Sequence, residues 1–161
     1  MTNVVFIDFD GVLHPIGACV WDADKQQMQS VDAFRWWPEL EKALVAAPAP
    51  IELVIHSTWR LMWETDAELL AMLPVSMQPY VRGTTDRTIM GREHSIVEYL
   101  AKNTVDHFLV LDDEIAAFAP GYAPLIACDG AQGLSEQRAL VALHQRLSQW
   151  TLLEYGNAPA F

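Results

Sequence analysis

Val4-Val5-Phe6-Ile7-Asp8-Phe9-Asp10-Gly11-Val12-Leu13 is the stretch on which the fold turns. Four apolar, β-prone residues run without alternation, as in a strand covered on both faces, and stop at two aspartates and a glycine. Ile51 to Ile55 repeats the pattern and ends at His56-Ser57-Thr58. His107 to Leu111 repeats it again and ends at Asp112-Asp113-Glu114. Gln78 to Arg82 reads as a short strand between these, and Leu125 to Ala127 as a fifth. Helical stretches separate them. Pro38 to Ala47 carries proline in its first turn, where the missing N–H costs nothing, and Glu64 to Leu73 is closed by Pro74. From Gly91 onward Ile96, Val97, Leu100 and Ala101 recur at helical spacing. Ser135, with Glu136 after it, is placed to cap a last helix to about Trp150, whose apolar residues are Leu140, Val141, Leu143, His144 and Leu147. Strands alternating with helices predict an α/β fold: a three-layer, Rossmann-like, parallel five-stranded sheet with helices on both faces. In such a sheet ligands sit at the carboxyl ends of the strands. Three polar clusters, Asp8/Asp10, Ser57/Thr58 and Asp112/Asp113, fall at that edge.

These stretches, in this order, resemble the signatures of the haloacid dehalogenase (HAD) superfamily: D-x-D-G after a strand, a strand ending in serine or threonine at Ser57, a basic residue before a helix at Arg92, and paired acids at Asp112-Asp113. Ser57-Thr58-Trp59-Arg60, Leu109-Val110-Leu111-Asp112-Asp113 and Gly133-Leu134-Ser135 resemble more closely the small HAD domains of Swiss Army Knife RNA-repair proteins. The resemblance implies a phosphohydrolase, because dehalogenases do not keep an aspartate at the position of Asp10. It also implies Mg2+ held by Asp8, the backbone carbonyl of Asp10, and Asp113, with Asp112 as a ligand or its support. The segments between signatures are too short for a large cap domain.

The chemistry of the residues agrees. Phosphoryl transfer needs a nucleophile, charge compensation on the phosphoryl oxygens and proton handling at the leaving group. Asp8 suits the nucleophile, forming an aspartyl-phosphate, and Asp10 suits the acid and base. Crowding Asp8, Asp10, Asp112 and Asp113 raises at least one carboxyl pKa, and Asp10 is the expected holder of that proton. Several carboxylates call for a hard cation such as Mg2+. Ser57 or Thr58 is expected at the phosphoryl group, and Arg92 to neutralise its charge, with Arg87 and Arg82 as competitors. Gly11, Thr58, Arg60 and His14 are the remaining substrate-binding candidates. His56 reads as a satisfied buried histidine and Trp59 as packing. Trp21, Phe34, Trp36 and Trp37 read as a cluster closing a loop onto the domain, with stacking of a base or sugar ring over the site as the alternative, and Asp22 and Asp24 as solvated turn residues.

The chain has 161 residues, 52% of them hydrophobic and 19% charged, which suits one domain over 1–161 with a packed core. Residues 15–37 are a candidate flap and 155–161 a loose tail. A net charge of -11 argues against general affinity for nucleic acid or anionic membranes. Cys19 and Cys128 lack ligand spacing and read as reduced thiols. With no signal-peptide pattern at its start and no long apolar run, the protein is expected in the cytoplasm; its oligomeric state is left open. The expected activity is Mg2+-dependent phosphate-monoester hydrolysis on a nucleotide, polynucleotide end or small phosphate ester. The alternative is a HAD-fold binding or regulatory protein with little turnover.

Overall fold

A computed structural model describes residues 1–22, 27–30 and 32–150. Strand β1 (Asn3–Ile7) is followed by a hairpin of β2 (Cys19–Asp22) and β3 (Gln27–Ser30). Then come α1 (Trp37–Ala46), β4 (Glu52–Ile55), α2 (Asp66–Ala71), β5 (Val81–Thr84), α3 (Arg92–Lys102), β6 (His107–Asp112), β7 (Leu125–Ala127) and α4 (Gln137–Ser148). The five expected strands form one sheet in the order β5-β4-β1-β6-β7, and every pairing is parallel.

The continuous apolar runs are explained by burial on both faces. Val5, Ile7, Leu53, Ile55, Leu109 and Leu111 point to one side, where Leu40 and Leu44 of α1, Leu69 of α2, and Leu143 and Leu147 of α4 meet them. Val4, Phe6, Val54 and Val110 point to the other, against Ile96 and Tyr99 of α3. Each such buried aliphatic side chain contributes about 1.5–3 kcal/mol relative to exposure. The chain builds β1, β4 and β5 outward in one direction, then crosses back to lay β6 and β7 on the other side of β1. The order therefore reverses between β1 and β6, and a crevice opens there at the carboxyl ends. Ile7 is paired with both Ile55 and Leu111, so the next residues in register are Asp8, His56 and Asp112.

Several local expectations are corrected. Gln78–Tyr80 is a 3-10 turn, and the strand begins at Val81; Pro79 cannot donate to a ladder, which delays pairing. Ser135 ends a 3-10 turn, its hydroxyl donates to the Gln132 carbonyl at 2.6 Å, and α4 starts after Glu136 without a side-chain cap. On α3, Val97 is 49% exposed, and Tyr99 packs beside Ile96 instead. On α4, Val141 and His144 face outward while Ala139, Leu143 and Leu147 make the buried stripe. Within the candidate flap, β2 and β3 pair antiparallel, Cys19 with Ser30 through Asp22 with Gln27. Asp24, the side chain of Trp21 and the tail from 155 to 161 lie outside the described residues. Among those described, no helix is long and apolar enough to cross a membrane.

Candidate active site

Asp8 and Asp112 occupy the crevice between β1 and β6, with side chains 1% and 0% exposed. Asp8 Oδ1 accepts from the Phe9 N–H at 2.7 Å. Asp112 Oδ1 accepts from the Glu114 N–H at 2.8 Å. Their other oxygens converge on one guanidinium. Arg92 Nη1 donates to Asp8 Oδ2 and, at 2.6 Å, to Asp112 Oδ2; its Nε is 2.9 Å from Glu114 Oε2. Arg92 is the first residue of α3, so the rigid packing of that helix under the sheet fixes its reach. Arg87 is committed to Asp66 and the Arg60 carbonyl, and Arg82 to Glu52. Of the three arginines, Arg92 is the one at the carboxylates.

Asp113 completes the cluster, and Asp8, Asp112 and Asp113 each offer a carboxylate oxygen, all within 4.8 Å of one another. Asp113 fits because two glycines make room. A Cβ on Gly11 would lie 2.4 Å from Asp113 Cγ, and one on Gly130 would lie 2.9 Å from its Oδ2. Three carboxylates, Asp8, Asp112 and Glu114, pair with one guanidinium, and Asp113 lies beside them. Burial, then the charge of Asp8, pushes the Asp112 carboxyl up to about 7, and the same causes raise Asp113. Burial disfavours the charge on Arg92, but Asp8 and Asp112 outweigh it and hold the guanidinium protonated. The excess negative charge and all-oxygen donor set suit a hard divalent cation.

The expected proton on Asp10 is corrected. Burial does push its carboxyl up, but hydrogen bonds from His14 and Trp59 outweigh that and hold it below the usual carboxylate range. The raised carboxyl is Asp112. Asp10 stands apart from the acidic cluster: Oδ1 is 3.2 Å from His14 Nε2 and Oδ2 accepts from Trp59 Nε1 at 2.9 Å.

Three substrate-side candidates are engaged by groups of the protein itself. His14 is fully buried, one ring nitrogen on Asp10 and the other accepting from the Phe34 N–H at 3.2 Å. Arg60 is 1% exposed, and its guanidinium donates to the carbonyls of His56, Ser57 and Ile89 at 2.6, 3.0 and 2.7 Å. The Gly11 N–H donates to the His14 carbonyl at 2.8 Å, so this glycine serves the approach of Asp113. Ser57 is buried at the end of β4, its Oγ accepting from the Trp59 N–H at 3.3 Å, while Thr58 is exposed beside it.

Trp59 packs as expected, and it also holds Asp10, a part the sequence reading missed. Glu114, the last residue of the acidic run, also reaches Arg92. His56 is buried as expected, with burial pushing its imidazole down to about 4. It is not fully satisfied: Nε2 is 3.4 Å from the Leu111 carbonyl and 3.5 Å from Asp112 Oδ2, while Nδ1 has no partner. The i, i+4 spacing of Asp10 and His14 was the one available signal of their pairing.

A family model described as the HAD domain in Swiss Army Knife RNA repair proteins matches residues 4–139. No curated protein and no solved structure matches the chain.

Two of the glycines at positive φ separate backbone strain from side-chain clash. Gly11 (φ 71) and Gly17 (φ 81) both disfavour a Cβ, but nothing lies within 4 Å at Gly17. Gly17→Ala is expected to cost about 1–2 kcal/mol. Gly11→Ala should cost more in denaturant melts and weaken divalent-cation binding, which Gly17→Ala leaves intact. Equal costs with equal cation affinity would show that Asp113 does not depend on the missing Cβ.

Proposed function

The chain belongs to the family of HAD domains found in Swiss Army Knife RNA repair proteins, and from that premise we propose that it is an Mg2+-dependent phosphatase acting through an aspartyl-phosphate. The observation that carries this reading is the Asp8 carboxylate, buried at a strand end and bridged by Arg92 to Asp112, with a separately held carboxylate, Asp10, two residues away. In the first step an oxygen of Asp8 bonds to phosphorus as the bond to the leaving oxygen breaks, and Asp10, ionised at rest, gives that oxygen a proton it has taken up from solvent as the substrate binds. In the second, Asp10 takes a proton from water, which bonds to phosphorus and breaks the bond to Asp8. Phosphate leaves, Asp10 releases its proton to solvent, and both carboxyls return to their starting states.

Arg92 offsets charge on the phosphoryl oxygens. Ser57 Oγ already accepts from the Trp59 N–H, which leaves its hydroxyl hydrogen for a phosphoryl oxygen; exposed Thr58 is the neighbour placed to touch the rest of the substrate. Asp8, Asp112 and Asp113 with the Asp10 carbonyl would hold Mg2+, which when bound supplies positive charge to the phosphoryl oxygens.

With Mg2+, hydrolysis of an aryl phosphate is expected to fall by about a thousandfold or more in Asp8→Asn and by about 10²–10⁴-fold in Asp10→Asn. Acid-quenched wild type should carry phosphoryl label that Asp8→Asn lacks. Persistent turnover in Asp8→Asn would sink the mechanism. A wild type that binds Mg2+ and phosphate esters without turnover would instead favour a binding protein.

Cation binding carries its own sign. Because the Asp112 carboxyl is raised to about 7, a proton competes with Mg2+ below that pH. Affinity should therefore climb as pH rises through about 7, level off above it, and be accompanied by proton release in calorimetry. Affinity independent of pH with no proton release would contradict the role of Asp112.

Small phosphate esters and nucleotides suit the charge distribution better than polynucleotide backbones. Each described lysine and arginine is engaged: Arg35 with Asp32, Lys42 with Glu39, Lys102 with Asp86 and Glu98, Arg138 with Glu136, and Arg146 with the Ala123 carbonyl, beside those already placed. No basic track is left among them for successive phosphates. A 5′-phosphorylated oligonucleotide and its terminal mononucleotide should give kcat/KM values within about threefold of each other and a shallow salt dependence. A strong, salt-sensitive preference for the oligonucleotide would show that nucleic-acid ends are the substrate.

A further inference from the structure

Both oxygens of Asp10 are held by ring N–H groups from separate elements. Trp59 comes from the 3-10 turn Thr58–Leu61 that follows β4. His14 closes the turn that follows β1, where it bridges to Asp10 through the backbone as well. The tautomer of His14 is fixed by its surroundings. Nδ1 accepts from the Phe34 N–H, so it bears no hydrogen, and Nε2 carries the one that points to Asp10 Oδ1.

Phe34 delivers that N–H from a left-handed backbone, φ 58, unusual for a bulky residue. Its ring meets Phe9, His14 and Trp59 edge-on, with centroids 5.2, 5.3 and 5.6 Å away. This aromatic cluster locks the two donors. His14 is 0% and Trp59 3% exposed, whereas the Asp10 side chain is 32% exposed. Of the three, only the carboxylate can meet a substrate.

We propose that His14 and Trp59 are positioning residues for proton transfer, clamping the Asp10 carboxylate in one orientation with its exposed edge open to the leaving oxygen and then to water. The proposal rests on the acid/base reading of Asp10. The two N–H protons stay on their rings throughout; the proton that moves is the one Asp10 takes up and passes on. Since a general acid matters most when the leaving oxygen is basic, loosening the clamp should slow alkyl phosphates more than nitrophenyl phosphate. A packing defect has no such preference.

The test is kcat/KM across phosphate monoesters whose alcohols span a wide pKa range, for wild type, Trp59→Phe, His14→Leu, His14→Gln, Asp10→Asn and Trp59→Phe/Asp10→Asn. Trp59→Phe keeps an aromatic ring and loses the donor, so it remains informative if the His14 variants do not fold. The expected result is a leaving-group dependence steepened by Asp10→Asn. Trp59→Phe should steepen it in the same direction, with about a tenfold loss on alkyl esters and little on nitrophenyl phosphate. His14→Gln, which retains a donor, should lose less than His14→Leu, and Trp59→Phe should add nothing in the Asp10→Asn background. An equal loss on every ester in Trp59→Phe, or a full additional loss in the double variant, overturns the clamp while leaving Asp10 as acid and base. If Asp10→Asn itself leaves the dependence unchanged, the acid/base reading of Asp10 falls and the clamp with it.

Discussion

The constraint on which the site depends is the burial of two neighbouring carboxylates, Asp8 and Asp112, at the ends of the two central strands. Parallel pairing of β1 with β6 is driven by the apolar side chains beneath, and its register leaves these acids next to one another. An unpaired carboxylate in such surroundings costs several kcal/mol even after relaxation. Arg92 answers both at once, and it does so from the start of a helix whose packing is set by Ile96 and Tyr99. The sheet, α3 and the charge arrangement are thus coupled: moving the helix would strand two buried charges, and removing the arginine would do the same.

The same burial explains why two aspartates two residues apart differ. In a continuous strand, residues i and i+2 share a face, and Asp8 and Asp10 would then compete for the same cation and the same proton. The chain instead turns immediately after Asp8: the Leu13 N–H donates to the Phe9 carbonyl at 2.8 Å and Gly11 takes φ 71. Asp10 is carried out of the acidic cluster to His14 and Trp59, while Asp113 moves in against Gly11. One glycine therefore serves both the separation of the two aspartates and the assembly of the three-carboxylate cluster.

Much of this was legible in the sequence, for identifiable reasons. Strands buried on both faces need uninterrupted apolar runs, so β1, β4, β6 and β7 stood out, and the acids at their ends could be placed at one edge by topology alone. Helix faces were less legible. Val97 and Val141 fit a helical period, yet which neighbouring stripe is buried depends on what the sheet presents. The fates of Arg60 and His14 were hidden for another reason. Arg60 is spent on backbone carbonyls around the 3-10 turn, and irregular backbone does not announce its unpaired oxygens in sequence. The proton misassigned to Asp10 followed from counting carboxylates without knowing their donors; once Trp59 and His14 are in place, the crowded group is Asp112.

A chain with net charge -11 that is to handle a phosphate must reconcile two opposing fields. At physiological ionic strength exposed charges are screened over about 8 Å, so the surface acids act mainly on the approach of a polyanion, whose charges extend beyond the cleft. Inside, the balance belongs to few groups at short range: Arg92, the acids it bridges, and any cation they hold. Capture of a small anion then depends on those groups and hardly on the surface. On the proposed reading, discrimination against long anionic chains would follow from the lack of a basic track among the described residues, without requiring a cap over the site.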